Sequence, residues 1–328
     1  MTNSTINKTT MLDTEKQKMV YILSPSFSGS TLLTLLLAQH PKIATIGELK
    51  ATAMGDIASY QCSCGSALLE CDFWKTLQKR LHGQKMKFAF DDFHTHFTSS
   101  NVVWNRIMGA QVRGRWFELL RRFLLEHMPN LRSEYQNRLS HNWVFARTVT
   151  DIMKRPIFLD GSKDVNRLKY LLGDDRWDIR VLEIVRDGRA QSNSRRSKNR
   201  RFIPSFKHAV KEWRSTIKQM TKVTKQLPSE QIYSMSYETL CEKPSKVLTD
   251  ICEFLEIEPL DLDWSNIDLK KTEHHILGNN MRTKTHIKIS LDSNWKSEVT
   301  QEELGIFESL AGELNRNLGK RLNTNYES

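Results

Sequence analysis

The sequence lacks an apolar run that could cross a membrane. Its longest candidate, Val20 to Ala38, is interrupted over Ser24–Thr31 by serines, a proline and a glycine. It also lacks a secretory signal: Met1 to Lys18 is polar, with neither an apolar core nor a cleavage site, and residues 1–18 read as a flexible tail. Disulfide chemistry has little to work with, because five cysteines in 328 residues are an odd number in a long chain. Together these absences point to a reducing cytoplasm. Repeats and low-complexity linkers are missing too, so residues 19–328 are expected to form a single domain. Negative charge is the scarcer sign, 38 acidic against 49 basic residues, and the resulting +11 favours an anionic partner.

What is present is concentrated in VYILSPSFSGSTLLTLLLAQHP, Val20 to Pro41. Met19 to Leu23 reads as a short buried strand. Ser24 to Thr31 is small, turn-forming and rich in hydroxyls, and Leu32, Leu33, Leu35, Leu36 and Leu37 give the apolar density of a helix packed on a sheet. Strand, tight loop and buried helix together aim free backbone N–H groups at an anion. A plain strand-to-helix turn with a serine cap is the other reading. A nucleoside triphosphatase loop would carry G-x-x-x-x-G-K-[ST]. Here Gly29 is followed by Ser30 and Thr31 without a lysine, and the first glycine is missing, which disfavours ATP or GTP hydrolysis and a small-molecule kinase.

Further along, strands alternate with helices. Ile43–Ile46 ends at Gly47-Glu48-Leu49. Pro156–Leu159 ends at Asp160-Gly161-Ser162-Lys163-Asp164, Ile179–Val185 at Arg186-Asp187-Gly188-Arg189, and Gln231–Ser236 at Tyr237-Glu238-Thr239-Leu240. This pattern predicts an α/β fold: a parallel central sheet with helices on both faces and ligands at the carboxyl ends of the strands. Residues 84–151 read as a helical insertion. Part of it, around Trp104, Arg106, Arg113, Arg115, Trp116, Phe117, Arg121 and Arg122, is basic and aromatic. Such interleaving suits sugars or nucleic acid, but no nucleic-acid motif accompanies it, so nucleic acid is not expected as a partner. Cys62, Cys64 and Cys71 suggest zinc with His82 as fourth ligand; the spacing departs from C-x₂-C, and buried thiols in a loop are the plainer reading.

Four separated segments resemble the sulfotransferases that use 3′-phosphoadenosine 5′-phosphosulfate (PAPS), whose sheet is of the P-loop nucleotidase kind. Ser26-Phe27-Ser28-Gly29-Ser30-Thr31 is similar to the family's 5′-phosphosulfate loop. Arg186 with Ser194 is similar to its 3′-phosphate site, and Ser236-Tyr237-Glu238-Thr239-Leu240 with Pro244 to the segment whose tyrosine lies near adenine. Gly278-Asn279-Asn280-Met281-Arg282, with Trp295-Lys296 downstream, resembles the loop that closes over the cofactor.

The resemblance implies sulfuryl transfer from PAPS to a hydroxyl or amine, with 3′,5′-ADP as product and no metal required. It implies a small-molecule or glycan acceptor, an acidic one included, or a lipid-like natural product or peptide tyrosine. Residues 84–151 would cover the acceptor. Phe27 departs from the pattern, since many members carry Lys or Arg there; Lys163 is expected to supply the missing cation. Glu48 is expected to be the base, with His40, His94, His96 and His141 as alternatives. A PAPS- or 3′,5′-ADP-binding protein without chemistry is the non-enzymatic alternative, for which Phe27 speaks.

Overall fold

In the computed structural model the described residues are 16–50, 55–99, 101–112, 114–198, 205–260, 267–269 and 273–323. The chain begins with β1 (Gln17–Leu23), α1 (Ser30–Leu37) and β2 (Ile43–Thr45). A mainly helical stretch follows: α2 (Asp72–Gly83), α3 (Val102–Met108), α4 (Arg115–His127) and α5 (Pro129–Met153). The alternation then resumes with β3 (Ile157–Lys163), α6 (Val165–Leu171), β4 (Trp177–Val185), α7 (Gly188–Lys198), α8 (Phe206–Thr224) and β5 (Ile232–Ser236). Next come α9 (Tyr237–Glu242), α10 (Pro244–Phe254), and a two-stranded ribbon of β6 (Ile267–Asp268) and β7 (His286–Ile287). Helices α11 (Trp295–Glu298), α12 (Gln301–Phe307) and α13 (Glu313–Arg321) complete the fold, the last two joined by a π-helical turn at Glu308–Gly312.

The five main strands are all parallel, in the order β2-β3-β1-β4-β5. Parallel strands covered on both faces need apolar residues at nearly every position, and β1 has them. Alternate residues serve opposite cores. Met19, Tyr21 and Leu23 enter the layer beneath α2, α5, α6 and α8, while Val20 and Ile22 enter the layer beneath α1, α9 and α10. At eight residues α1 is too short to persist alone. Burial of all five of its leucines, each contributing about 1.5–3 kcal/mol, holds it on the sheet.

The chain enters the sheet at its centre, moves outward to β2, returns to β3 and then crosses β1 to reach β4. That reversal opens a crevice at the carboxyl end of β1. The five expected strands all form and run parallel as expected; the β6–β7 ribbon was not expected. β1 starts at Gln17, inside the stretch expected to be tail, and β3 runs four residues further than expected, through Asp160 to Lys163. No described helix is long and apolar enough to cross a membrane.

Candidate active site

The loop after β1 turns on two left-handed residues, Phe27 (φ 63°) and Gly29 (φ 84°). Glycine is required at the second for a further reason. A Cβ on Gly29 would lie 2.4 Å from Cδ2 of Tyr237, so the first turn of α1 and the tyrosine that opens α9 meet only because that atom is missing. The first intrahelical bond runs from the Leu33 amide to the Gly29 carbonyl at 3.0 Å, so the amides before it face outward from the helix N-terminus. Ser28 is fully buried, and its Oγ has no hydrogen-bond partner among the described residues.

Arg186, the residue after β4, lies beside this loop, 5% exposed. Nη1 donates to Ser194 Oγ at 3.2 Å and to the Phe27 carbonyl at 3.3 Å, and Nη2 donates to the Asp292 carbonyl at 2.7 Å. The Asp292 carboxylate stands 3.1 Å from Nη2, and the guanidinium lies 4.7 Å from the centre of the Tyr237 ring. Its Nε is buried without a partner among the described residues. Arg186 and Ser194 are thus brought together as expected, eight positions apart, the arginine between β4 and α7 and the serine on α7. Gln191, on the same helix, donates to the Ser26 carbonyl at 2.7 Å and clamps the loop from the side.

Opposite, Lys163 Nζ is paired with Glu48 Oε1. A bulge in β3 produces this pairing. Tyr21 stands opposite Asp160, but Leu23 stands opposite Lys163, so β3 carries one residue more than β1 and Lys163 is left at φ 66°. At Gly161 a Cβ would come within 2.9 Å of the Gly47 carbonyl, so glycine lets β3 lie against the segment bearing Glu48. Beneath the bulge Asp160 is completely buried. Its Oδ1 accepts from the Leu49 amide (3.2 Å), the Ser162 amide (3.0 Å) and Ser162 Oγ (2.5 Å), and its Oδ2 accepts from Arg167 Nε at 2.9 Å. Arg167 in turn donates to the Thr95 carbonyl (2.7 Å) and to Asn142 Oδ1 (2.6 Å). A buried charge is tolerated only when paired and hydrogen-bonded, and here both partners are. The network holds Glu48 and Lys163 one residue away on either chain.

Phe27, Gly29, Glu48, Lys163, Arg186 and Ser194 border a cleft of about 800 Å³, and Ser28 lies outside its lining. Thr31, Tyr237, Gly278, Asn279 and Asp292 line it as well. The Asn279 amide donates to Thr31 Oγ1 at 3.3 Å, so the 278–282 loop rests on the start of α1. Arg282 points elsewhere. It donates to the Gln61 carbonyl at 2.7 Å, stacks 4.9 Å over the Tyr60 ring and does not line the cleft.

Sequence reasoning missed Lys50, paired with Asp164 at 2.5 Å, and Arg195, paired with Glu212 at 2.8 Å. It also missed Lys288 and the α8 wall of Trp213, Thr216 and Gln219. The run of basic residues after Ser194 was a signal for Arg195; nothing local marked the others.

No described residue of 84–151 lines the cleft; the segment reaches it through Thr95 and Asn142 underneath. Of its basic and aromatic residues, Trp104 and Arg121 are buried whereas Trp116 is 83% exposed. His40, His94, His96 and His141 also stand outside the lining. His40 bonds the Glu258 carbonyl, His94 and His96 flank Asp92, and burial pushes His141 down to about 4.

Solved structures similar to the chain include a sulfotransferase domain from the curacin biosynthetic pathway, 16% identical over 94% of this chain and 98% of that one, with a TM-score of 0.48. Another is a sulfotransferase domain from the Synechococcus PCC 7002 olefin synthase, 19% identical over 91% and 97%, TM-score 0.44. A third is the sulfotransferase STF9 from Mycobacterium avium, 13% identical over 96% and 79%, TM-score 0.45. No curated protein matches the chain. The sequence pattern of the sulfotransferase family matches residues 20–261, the whole span from β1 past α10, and the chain belongs to that family.

Proposed function

We propose that this protein transfers a sulfuryl group from PAPS to a hydroxyl or amine of a small-molecule or glycan acceptor, releasing 3′,5′-ADP. The observation that carries the reading is the pair of anion-binding positions on one cleft. The N-terminus of α1 and the Arg186–Ser194 pair stand on either side of Phe27 and are joined by the Arg186 bond to its carbonyl. A donor with a phosphosulfate at one end and a phosphomonoester on its ribose needs two such positions. The buried, unpartnered Ser28 Oγ and Arg186 Nε are polar atoms such a ligand would satisfy.

PAPS supplies an activated sulfuryl group whose leaving group is a phosphate. The amides of Ser30 and Thr31 and the hydroxyls of Ser28, Ser30 and Thr31 would bind the 5′-phosphosulfate, aided by the helix dipole. Arg186 offers a planar fork to the 3′-phosphate, with Ser194 as a further donor. Tyr237, with its ring against Gly29 and Arg186, is suited to pack on the adenine.

The reaction is an in-line displacement. The acceptor oxygen forms a bond to sulfur while the bond from sulfur to the bridging oxygen breaks, the electron pair leaving on the phosphate. Glu48 takes the acceptor proton. Lys163 supplies the positive charge that Phe27 cannot, facing the charge that develops on the sulfuryl oxygens. Their ion pair orients both groups before substrate arrives. Polar residues of the α8 wall, Glu212, Thr216 and Gln219, support a hydroxylated acceptor, an acidic one being admitted by Lys50 and Lys288.

The test is calorimetric titration with 3′,5′-ADP beside ADP and AMP. Binding should depend on the 3′-phosphate and weaken on the order of 10²–10³-fold in Arg186→Ala, the loss of charge-assisted hydrogen bonds at about 1.5–3 kcal/mol each. Indifference to the 3′-phosphate would overturn the reading.

A further inference from the structure

About 210 residues of sequence separate Cys62 from His274, yet the fold brings them together with Cys64 and Cys71. One atom from each, three Sγ and the His274 Nδ1, lies within 4.8 Å of all the others. Cys71 Sγ is 3.3 Å and Cys62 Sγ 3.7 Å from Nδ1, while Cys64 and Cys71 Sγ are 3.7 Å apart. None of the three cysteines is in a disulfide.

These spacings can be compared with what a metal demands. A tetrahedral zinc with Zn–S of about 2.3 Å and Zn–N of about 2.0–2.1 Å sets its sulfurs about 3.8 Å apart and sulfur to nitrogen about 3.5 Å apart. The two sulfur–nitrogen distances, 3.3 and 3.7 Å, fall on either side of the second value, and the Cys64–Cys71 separation of 3.7 Å is close to the first.

The surroundings are shaped for such a site. Gln61 and Ala67 pair across a tight turn. Within it the Gly65 amide donates to the Cys62 carbonyl at 3.0 Å, and Gly65 adopts φ 95°. This turn presents Cys62 and Cys64 on one side. Cys71 immediately precedes α2, whose first residue is Asp72. The His274 ring is stacked on Phe73 at 4.4 Å and 2°, which fixes its plane. His82 lies away from the cluster, bonded to the Phe88 carbonyl at 3.0 Å, and so is replaced as fourth ligand by His274.

The geometry points to a structural zinc site, Cys62–Cys64–Cys71–His274, that fastens the base of the 273–282 segment to the 60–71 loop. The same junction is reinforced on both sides. Ser63 Oγ donates to the Glu273 carbonyl (2.7 Å) and accepts from the His275 amide (2.7 Å), and the Leu277 amide donates to Tyr60 Oη at 2.8 Å. Four protein ligands close the coordination sphere, so the ion has no open position for chemistry and acts by holding chain segments together. What it holds is the root of the loop whose Asn279 rests on Thr31. The site does not depend on the assigned reaction.

Elemental analysis of the full-length protein purified under reducing conditions tests the proposal. Wild type, His82→Gln and Cys241→Ser should each carry about one zinc per chain, and Cys64→Ala and His274→Ala less than a tenth of that. To separate metal loss from misfolding, cobalt(II) is added to the chelator-stripped wild type. It should give the visible absorption of a tetrahedral thiolate site, with thiolate-to-metal charge transfer in the near ultraviolet, and be displaced by zinc. Hydrogen exchange at the His275, Ile276 and Leu277 amides should accelerate on stripping and recover on zinc addition. Protein that is isolated without zinc and yields no tetrahedral cobalt spectrum overturns the proposal. So would a Cys64–Cys71 disulfide in the native protein, or zinc retained by His274→Ala and lost by His82→Gln.

Discussion

Strand β3 carries two ion pairs three residues apart, and they are built for opposite purposes. Asp160–Arg167 is sealed, with side chains 0% and 2% exposed, and every oxygen of the carboxylate is hydrogen-bonded. Lys163–Glu48 faces the cleft, its partners 17% and 22% exposed. A sealed pair returns its desolvation cost only while both members are present. A pair at a cleft wall is held loosely by comparison and is free to exchange one partner for a ligand. The difference teaches which acidic residue of this strand region keeps the fold and which one faces the cleft, where a ligand can reach it.

The sharpest break of that comparison is Asp160→Ala. It leaves Arg167 buried without its carboxylate and orphans the Leu49 and Ser162 amides, so stability should drop by about 3–5 kcal/mol in denaturant unfolding. Lys163→Ala and Glu48→Gln should do the reverse. Turnover with PAPS should fall on the order of 10²–10³-fold, with stability changed by less than about 1 kcal/mol. Near-normal turnover in Lys163→Ala would remove that residue from the chemistry.

How much of this was legible beforehand follows from how local each signal is. The parallel sheet could be read because apolar runs such as Tyr21–Leu23 and Val181–Val185, the second broken only by Glu183, have no other use in a chain of this composition. The anion loop could be read because Gly29 and its serines stand between strand and helix. The end of β3 could not. Asp160, Gly161 and Ser162 look like a loop, and they extend the strand only because Arg167, Thr95 and Asn142, distant in sequence, satisfy Asp160. For the same reason His82, near in sequence, was the natural fourth partner for three cysteines, while His274 was invisible until the fold closed. The Gly-Asn-Asn-Met-Arg loop at 278–282 was recognisable as a feature, but the direction of its arginine, toward Gln61 and Tyr60, depends on a contact about 220 residues away.

A smaller effect contrasts either pair with a buried group whose charged neighbours, His94 and Arg138 against Asp92, do not offset its burial. Burial pushes His141 down to about 4, with the Phe93 backbone only partly opposing it. Above about pH 6.5 the folded and unfolded states are both neutral there, and nothing is lost. As pH falls from about 6.5 toward 4 the unfolded chain takes up a proton that the folded one refuses, so stability declines across that window. His141→Gln should flatten this part of the stability–pH curve by close to one proton, measured by urea unfolding at a series of pH values.

The smallest effect concerns the bulge. Lys163 holds a left-handed backbone that costs an L-residue about 1–2 kcal/mol and a glycine much less. Lys163→Gly should therefore be at least as stable as Lys163→Ala while equally impaired in turnover. A less stable glycine variant would mean that the side chain, and not the backbone, sets the conformation.

Asp292 gives Arg186 a tenant. With the carboxylate at 3.1 Å and the carbonyl at 2.7 Å, the guanidinium is already in the company a phosphate would offer it. A ligand arriving there swaps one anion for another, so the local charge changes little and the arginine has no rearrangement to make. The irregular segment from Asp292 to α11 would then carry a carboxylate that must find water instead. A ligand held by Arg186 would therefore compete with Asp292, and the segment that leads to α11 would register its arrival.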